Sequence, residues 1–385
     1  MRFNPAFLAV TASLLVAPSL SAQTASLVYK LGTDTVAIEQ YTRSGNKISG
    51  EMVQRNGPAV SRVVYDMTVG ADNRPTLANI TRLNGDGTPV ANAPTTTRFR
   101  FTADSAIREN VFPDSVQRRA FAVSHAMMNF PTFVYGPTEV LMALKKSGTS
   151  IDSLPAIGLA GGVSMTGLSA AGADTLRLRG GAYAMLLRYD AKGMLQSVDG
   201  SYTTNKAMAS RGTKSFDVAS VARGMKPTGV LSVRDEARGS FGPGGMVLID
   251  YGRPMVRERT VWGGTLVPFD SVWRAGANDA THLFITRTMD IGTMKLVPGM
   301  YTLWVQHTKS GTFLIVNKQT GQWGTQYDAS QDIGRVALTM TPTPSHVEEF
   351  TIAVKALSGT RGVIEMSWGS SMGSVPFTTS VVAAR

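Results

Sequence analysis

Side chains able to grip a polar ligand crowd the stretch from Tyr251 to Tyr327: Tyr251, Arg253, Trp273, Arg274, Asn278, Asn317, Lys318 and Trp323. The guanidinium groups of Arg253 and Arg274 can clamp a carboxylate, phosphate or sugar oxygen in bidentate fashion. Trp273 and Trp323 can stack on a sugar ring, while Asn278 and Asn317 can read its hydroxyls. The same residues also suit an internal network, with arginines bridging loop carbonyls and tryptophans in the core. Asn278 and Asp279, beside Gly276, further suit a tight turn.

A catalytic reading needs an acid or base beside these groups, and Asp250 and Asp279 are the candidates for a glycan-active hydrolase or lyase using Arg253 and Arg274. Other catalytic patterns fail on context. Gly369-Ser370-Ser371-Met372-Gly373 has the nucleophile-elbow spacing, but strand-like Val375-Pro376-Phe377 follows it and the last histidine, His346, precedes it. Ser44 and Lys47 have the Ser-x-x-Lys spacing, yet fall in a hairpin turn where a helix is required. His125, His282, His307 and His346 lack ligand spacing, although His282 and His307 can meet across neighbouring strands. Asp328-Ala329-Ser330-Gln331-Asp332 begins like a calcium loop, but Ile333 stands where Gly is needed and Thr339 where Glu is needed. Glu348-Glu349 and Asp235-Glu236 are adjacent pairs, whose side chains point to opposite faces of a strand. The expectation is a binding protein with no catalytic residue, metal or cofactor.

The 385 residues have room for two domains, with 43% hydrophobic and 17% charged residues, as in folded protein. No cysteine is present, which excludes disulfides, thiolate metal sites and thiol catalysis. The formal net charge of +11 comes from scattered basic residues, the densest cluster being Arg253, Arg257 and Arg259. No basic stripe interleaved with stacking aromatics points to nucleic acid. Residues 1–22 read as a signal peptide: Arg2, an apolar run from Ala6 to Val16, Pro18, then Ser21-Ala22 before a cut at Gln23. That run is short for a membrane span, and no later stretch reaches ~18 apolar residues. The expected location is periplasmic or extracellular, of bacterial type, with no transmembrane segment in the mature chain.

The positioning elements are strands. The five tryptophans, at positions 262, 273, 304, 323 and 368, all fall in the C-terminal part, a composition shift that divides the chain into residues 23–204 and 229–385. The polar, glycine-containing segment 205–228 is the expected linker. The first domain reads as hairpins: Leu27–Leu31, Val36–Arg43, Lys47–Arg55, Val60–Val69, Leu77–Leu83 and Thr97–Phe101, separated by Gly, Asn, Asp and Pro turns. Ser115–Asn129 and Thr138–Lys146 carry helical features. Strands resume at Val163–Leu168, Thr175–Leu178, Tyr183–Tyr189 and Leu195–Thr204, the last two joined at Asp190-Ala191-Lys192-Gly193. A long antiparallel sheet with a short helical insert predicts a curved half-barrel whose concave face holds an apolar ligand, with the insert as a lid. At the level of pattern this resembles periplasmic lipid carriers of the LolA type. Met127, Met128, Phe130, Phe133, Met142 and Met185 are the candidate pocket lining, or else ordinary core. The second domain's many short strands with Gly and Pro turns predict an antiparallel β-sandwich.

Within that second domain, Ile249-Asp250-Tyr251-Gly252-Arg253-Pro254 and Val272-Trp273-Arg274-Ala275-Gly276-Ala277-Asn278-Asp279-Ala280-Thr281 stand in order. Pro298-Gly299-Met300-Tyr301-Thr302-Leu303 and Asn317-Lys318-Gln319-Thr320-Gly321-Gln322-Trp323-Gly324 follow. With these four motifs the chain from about residue 229 to residue 380 resembles the domain-of-unknown-function 2911 family. The resemblance implies an exported bacterial β-domain without an assigned activity. The expected partner is a lipid or glycan-like ligand of the cell envelope, the alternative to any enzyme being a structural module for protein contacts.

Overall fold

The computed structural model describes residues 23–380 apart from 56, 181, 182, 202, 204 and 230, so the signal peptide expected at residues 1–22 lies outside the described residues. The fold is mainly β, in two sheets, with short helices.

The first sheet has fifteen strands among the described residues. Strand Gln23–Leu31 lies mid-sheet, and the chain meanders outward from it to an edge at Val116–Ala122. It then crosses within a few residues to the opposite edge, Met127–Asn129, which pairs in parallel with Ser153–Gly158. A second meander returns to Met208–Gly212, which pairs with Gln23–Leu31. The first and last strands thus sit side by side, while the two edges are neighbours in sequence. Arg108 donates from Nη1 to the Leu159 carbonyl at 2.8 Å, linking the two arms of an open half-barrel.

Strand alternation decides which side chains enter the concavity. Leu27, Tyr29, Tyr41, Ile48, Met52, Tyr65, Met67 and Phe99 of the outward arm pack there against Leu168, Leu176, Leu187 and Tyr189 of the returning arm. The helix Glu139–Lys146 buries Val140, Leu141, Met142 and Leu144 in the same core, and ends as expected before Gly148.

Two expectations are corrected. Ser115–Asn129 is not helical: it forms the strands Val116–Ala122 and Met127–Asn129. Almost every side chain of Val116–Ala122 is exposed, because an edge strand carrying Arg118 and Arg119 has no buried face to impose period-two patterning. Segment 205–228 is not a free linker. Met208–Gly212 is a strand of the first sheet, and the helix Val218–Gly224, capped by Asp217 accepting from the Ser220 N–H, packs Val218 and Ala222 on Ile38 and Val53 at the sheet's outer face.

The second sheet runs from Arg234–Ser240 through Met246–Gly252, Thr281–Ile285, Gly299–Thr308 and Gly311–Asn317 to the long strands Asp332–Ser358 and Arg361–Thr379. Asp332–Ser358 pairs with Gly311–Asn317 through its first third, and its pairing with Arg361–Thr379 shifts register between Pro342 and Val347. Beyond that irregularity it folds back, so that Phe350, Ile352 and Val354 face Val247, Ile249, Leu283 and Leu303 across a sandwich core. Asp34, of the first sheet, and Arg257, after the second strand of the second sheet, form an ion pair. There Gly32 has φ 65°, and a Cβ would collide with the Arg257 carbonyl oxygen.

Candidate functional site

The polar–aromatic residues separate into a structural set and a cleft set. Tyr251 is buried, and its hydroxyl accepts from the Ile352 N–H at 3.0 Å, tying the two sandwich layers together. Asn317 is fully buried: its Nδ2 donates to the Asp328 carbonyl and to Asp332 Oδ1, and its Oδ1 accepts from the Gln319 N–H. It thereby orders the loop that follows its strand. Lys318 is exposed. Arg253 is held by Asp235 at 3.2 Å and Glu349 at 2.9 Å. The expected Arg253–Arg274 clamp is therefore not formed, since Arg253 is committed to carboxylates of neighbouring strands.

Trp273, Arg274, Asn278 and Trp323 do converge. They line a cavity of about 370 Å³ between the domains, together with Asn205, Lys206, Arg257, Arg259 and Trp368. Trp273 is the floor. It stacks on Trp368 with ring centroids 5.3 Å apart, and its indole N–H donates to the Gly276 carbonyl. Trp323, about a third exposed, forms an outer wall, and Asn278 donates to the Ser232 carbonyl. Four cations line this cleft, and no Asp or Glu is among its described lining residues. Arg257 is paired with Asp34. Lys206 and Arg259 donate to neutral carbonyls instead: Lys206 to Ser201 and Thr265, Arg259 to Val256 and Met255. Burial, reinforced by Arg274 and Arg259, pushes the Lys206 ammonium down to about 7. Burial, with Arg257 nearby, pushes Arg259 down to about 10, against the opposing pull of the Glu348 carboxylate.

Asp250 and Asp279 stand apart from this cleft. Asp250 pairs with Arg234, Asp279 is exposed, and neither is among the cleft's lining residues. The histidines do not meet either. His282 Nε2 accepts from the Gly321 N–H, whereas His307 bonds Thr312 and stacks on Phe269. Asp328 accepts from the Ser330 N–H as a turn cap, and Gly369 to Gly373 lie within one strand.

The first domain holds a second concave region. A cavity of about 500 Å³ opens on the concave side of the half-barrel, lined by Tyr29, Phe130, Phe133, Met165, Leu178 and Met185, with Asn129, Thr132 and Arg179 as polar contacts. A smaller space of about 80 Å³ adjoins it, sharing Phe130, Tyr135 and Leu178, and is lined by Met67, Met127, Met128 and Leu141. Five of the expected lining residues, Met127, Met128, Phe130, Phe133 and Met185, thus face these spaces, and Met142 is core.

What shapes the larger cavity is a buried carboxylate that pattern reading passed over. Glu39 is fully buried and accepts four hydrogen bonds: from the Tyr29 and Tyr65 hydroxyls at 2.8 and 2.6 Å, and from the Tyr135 and Gly136 N–H groups at 2.9 and 3.0 Å. It fastens the segment carrying Phe133 and Tyr135 into the half-barrel. Burial raises its carboxyl above the ordinary range, against the four bonds that favour the charged form. Glu139, at the start of the helix, is also fully buried and is held by Tyr41, Arg43, Arg211 and the Leu195 N–H. The alternation of strand Asp34–Ser44 carries the signal for Glu39: an acid sits in a run of buried positions.

Fold and site together describe a mainly β protein of two sheets, with an apolar concavity and a cation-lined cleft. Its C-terminal part is similar to an uncharacterised family: residues 233–377 match the family described as "Protein of unknown function (DUF2911)". No curated protein matches the chain.

Proposed function

We propose that this is an exported, envelope-associated binding protein that holds a ligand with an apolar chain in the concavity of its first domain. The observation that carries the reading is the cavity of about 500 Å³ bounded by Tyr29, Phe130, Phe133, Met165, Leu178 and Met185. Its volume falls within the range of small-molecule sites, roughly 300–1,000 Å³, and its lining combines aromatic and methionine surface with a few polar groups, as such sites do. The apolar lining favours a lipid-like ligand over a bare glycan.

The hydrolase or lyase reading has less support, because its two carboxylates, Asp250 and Asp279, are not among the cleft's described lining residues and Asp250 is paired with Arg234. Incubating the purified full chain with envelope extract, then identifying co-eluting molecules by mass spectrometry, tests the proposal. Recovery of an acyl-chain compound, reduced in a Leu178→Trp variant that fills the cavity, is the expected result. Repeated elution without bound ligand, or equal recovery with the filled variant, overturns it.

A further inference from the structure

The cavity of the first sheet is apolar in its buried part and polar where it opens. Tyr29, Phe133, Val198 and Ala207 line it and are buried. Asn129, Thr132, Ser164 and Arg179 line it and are exposed, and Thr166 is half-buried. None of these five polar side chains is hydrogen-bonded to another side chain or to backbone among the described residues. A wholly apolar ligand would leave that polar margin unused, whereas an amphiphile would meet both parts.

Arg179 gives the margin its sign. It is the one residue of the described lining that is charged at neutral pH, and no Asp or Glu lines the cavity with it. Among the described residues it forms no ion pair. In the strand register it faces Gly167, which has no side chain to cover it. Strand Thr175–Gly180 thus presents Leu178 and Arg179 to one cavity, an apolar contact and a cation one residue apart. The buried Glu39 carboxylate stands at the other end, behind Tyr29 and Tyr135, with its four hydrogen bonds already made to the protein. A second anion is therefore disfavoured beside Tyr29 and favoured at Arg179. Burying an alkyl chain while leaving a charged head at the exposed margin also avoids the cost of desolvating the head.

We propose that the cavity selects anionic amphiphiles, with the alkyl chain among Phe130, Leu178 and Met185 and the carboxylate or phosphate head at Arg179. This rests on the apolar-ligand reading above and adds the head group's chemistry to it. The guanidinium offers an oxyanion two parallel N–H donors, and a cationic head would meet it as a like charge.

Isothermal titration of the full chain at neutral pH, with probes kept below their micelle concentrations, tests this. The probes share a twelve-carbon chain: laurate, dodecyl phosphate, dodecyltrimethylammonium and uncharged dodecyl maltoside. The better anionic probe is expected to bind at least about fivefold more tightly than the ammonium, the worth of one exposed ion pair. Which of laurate and dodecyl phosphate is tighter identifies the head. Arg179→Gln is expected to erase the preference for an anion and to leave the maltoside's affinity unchanged, and Arg179→Lys to keep the preference. Arg177→Gln, on the same strand but outside the cavity's described lining, is expected to keep it as well. Far-UV circular dichroism checks that each variant is folded. Equal affinity for anionic and cationic probes, or a preference that survives Arg179→Gln, overturns the anionic-head assignment, while maltoside binding keeps the apolar-ligand reading. Equal loss of the preference in Arg177→Gln and Arg179→Gln overturns it too, because general positive charge then suffices. Failure of all four probes to bind overturns the apolar-ligand reading itself.

Discussion

Replacing Glu39 probes the element that gives the concavity its shape. Its Oε2 accepts from the Tyr29 hydroxyl and the Tyr135 N–H, and its Oε1 accepts from the Tyr65 hydroxyl and the Gly136 N–H. In Glu39→Gln the amide oxygen keeps one such pair, while the amide NH₂ faces the other. The tyrosine hydroxyl of that pair can rotate to accept, but the backbone N–H cannot. One buried donor is left without a partner, at a cost of about 1–3 kcal/mol. Glu39→Ala strands all four donors at about that cost each, which approaches the whole stability of a domain, ~5–15 kcal/mol. Urea unfolding followed by pulsed hydrogen exchange on peptides from residues 23–222 reads the first sheet apart from the tryptophan-containing remainder. The expected order is wild type, then Gln, then Ala, with Ala losing most of the transition. The pH dependence adds a sign. Burial raises the folded-state carboxyl above its ordinary 4.5, so the folded state holds that proton more tightly than the unfolded chain. This contribution is full below 4.5 and is lost as pH rises through the raised value, whereas the Gln variant lacks it. An Ala variant within about 0.5 kcal/mol of wild type would refute the reasoning, since that is the scatter of an ordinary surface substitution.

Further outcomes follow from the remaining contacts. Asn317→Ala removes three hydrogen bonds that hold the loop through Asp328 and Asp332, and is expected to cost about 2–4 kcal/mol in thermal or urea melts. Arg253→Ala breaks ion pairs of partly exposed groups and is expected to cost about 1 kcal/mol or less in urea melts. Burial, reinforced by Arg274 and Arg259, pushes the Lys206 ammonium down to about 7, the reverse of the Glu39 shift, and Lys206→Met is expected to flatten the matching pH dependence in urea melts. The same depression gives stability the opposite sign: between about 7 and the ordinary 10.5 the unfolded chain binds the extra proton, so stability without ligand rises with pH.

The strand pattern was legible wherever one face of a strand is buried and the other is not. Thr96–Phe101 alternates cleanly and Ser61–Val69 does so over most of its length, and both match strands read from sequence. The pattern failed at Val116–Ala122, where no face is buried and a helix fits the residues equally well. The strand Met208–Gly212 was illegible for a related reason: its neighbours Gln23–Leu31 and Leu195–Asp199 supply the pairing that its own composition does not advertise. Half of the polar–aromatic block proved to be scaffold. Asn317 and Tyr251 are types that must be hydrogen-bonded when buried, and their partners are backbone groups no spacing rule locates. The cationic cleft was only half visible. Arg257 and Arg259 formed the densest basic cluster in the chain, but Lys206 reaches them from another domain across a contact that only topology creates.

The most direct test of the central claim is a crystal structure of the full chain with a dodecyl-chain amphiphile, dodecyl maltoside. The account predicts density for the dodecyl chain between Phe130 and Leu178 in the concavity of the first sheet. Density for the ligand elsewhere, or a concavity filled by side chains alone under saturating ligand, would contradict it.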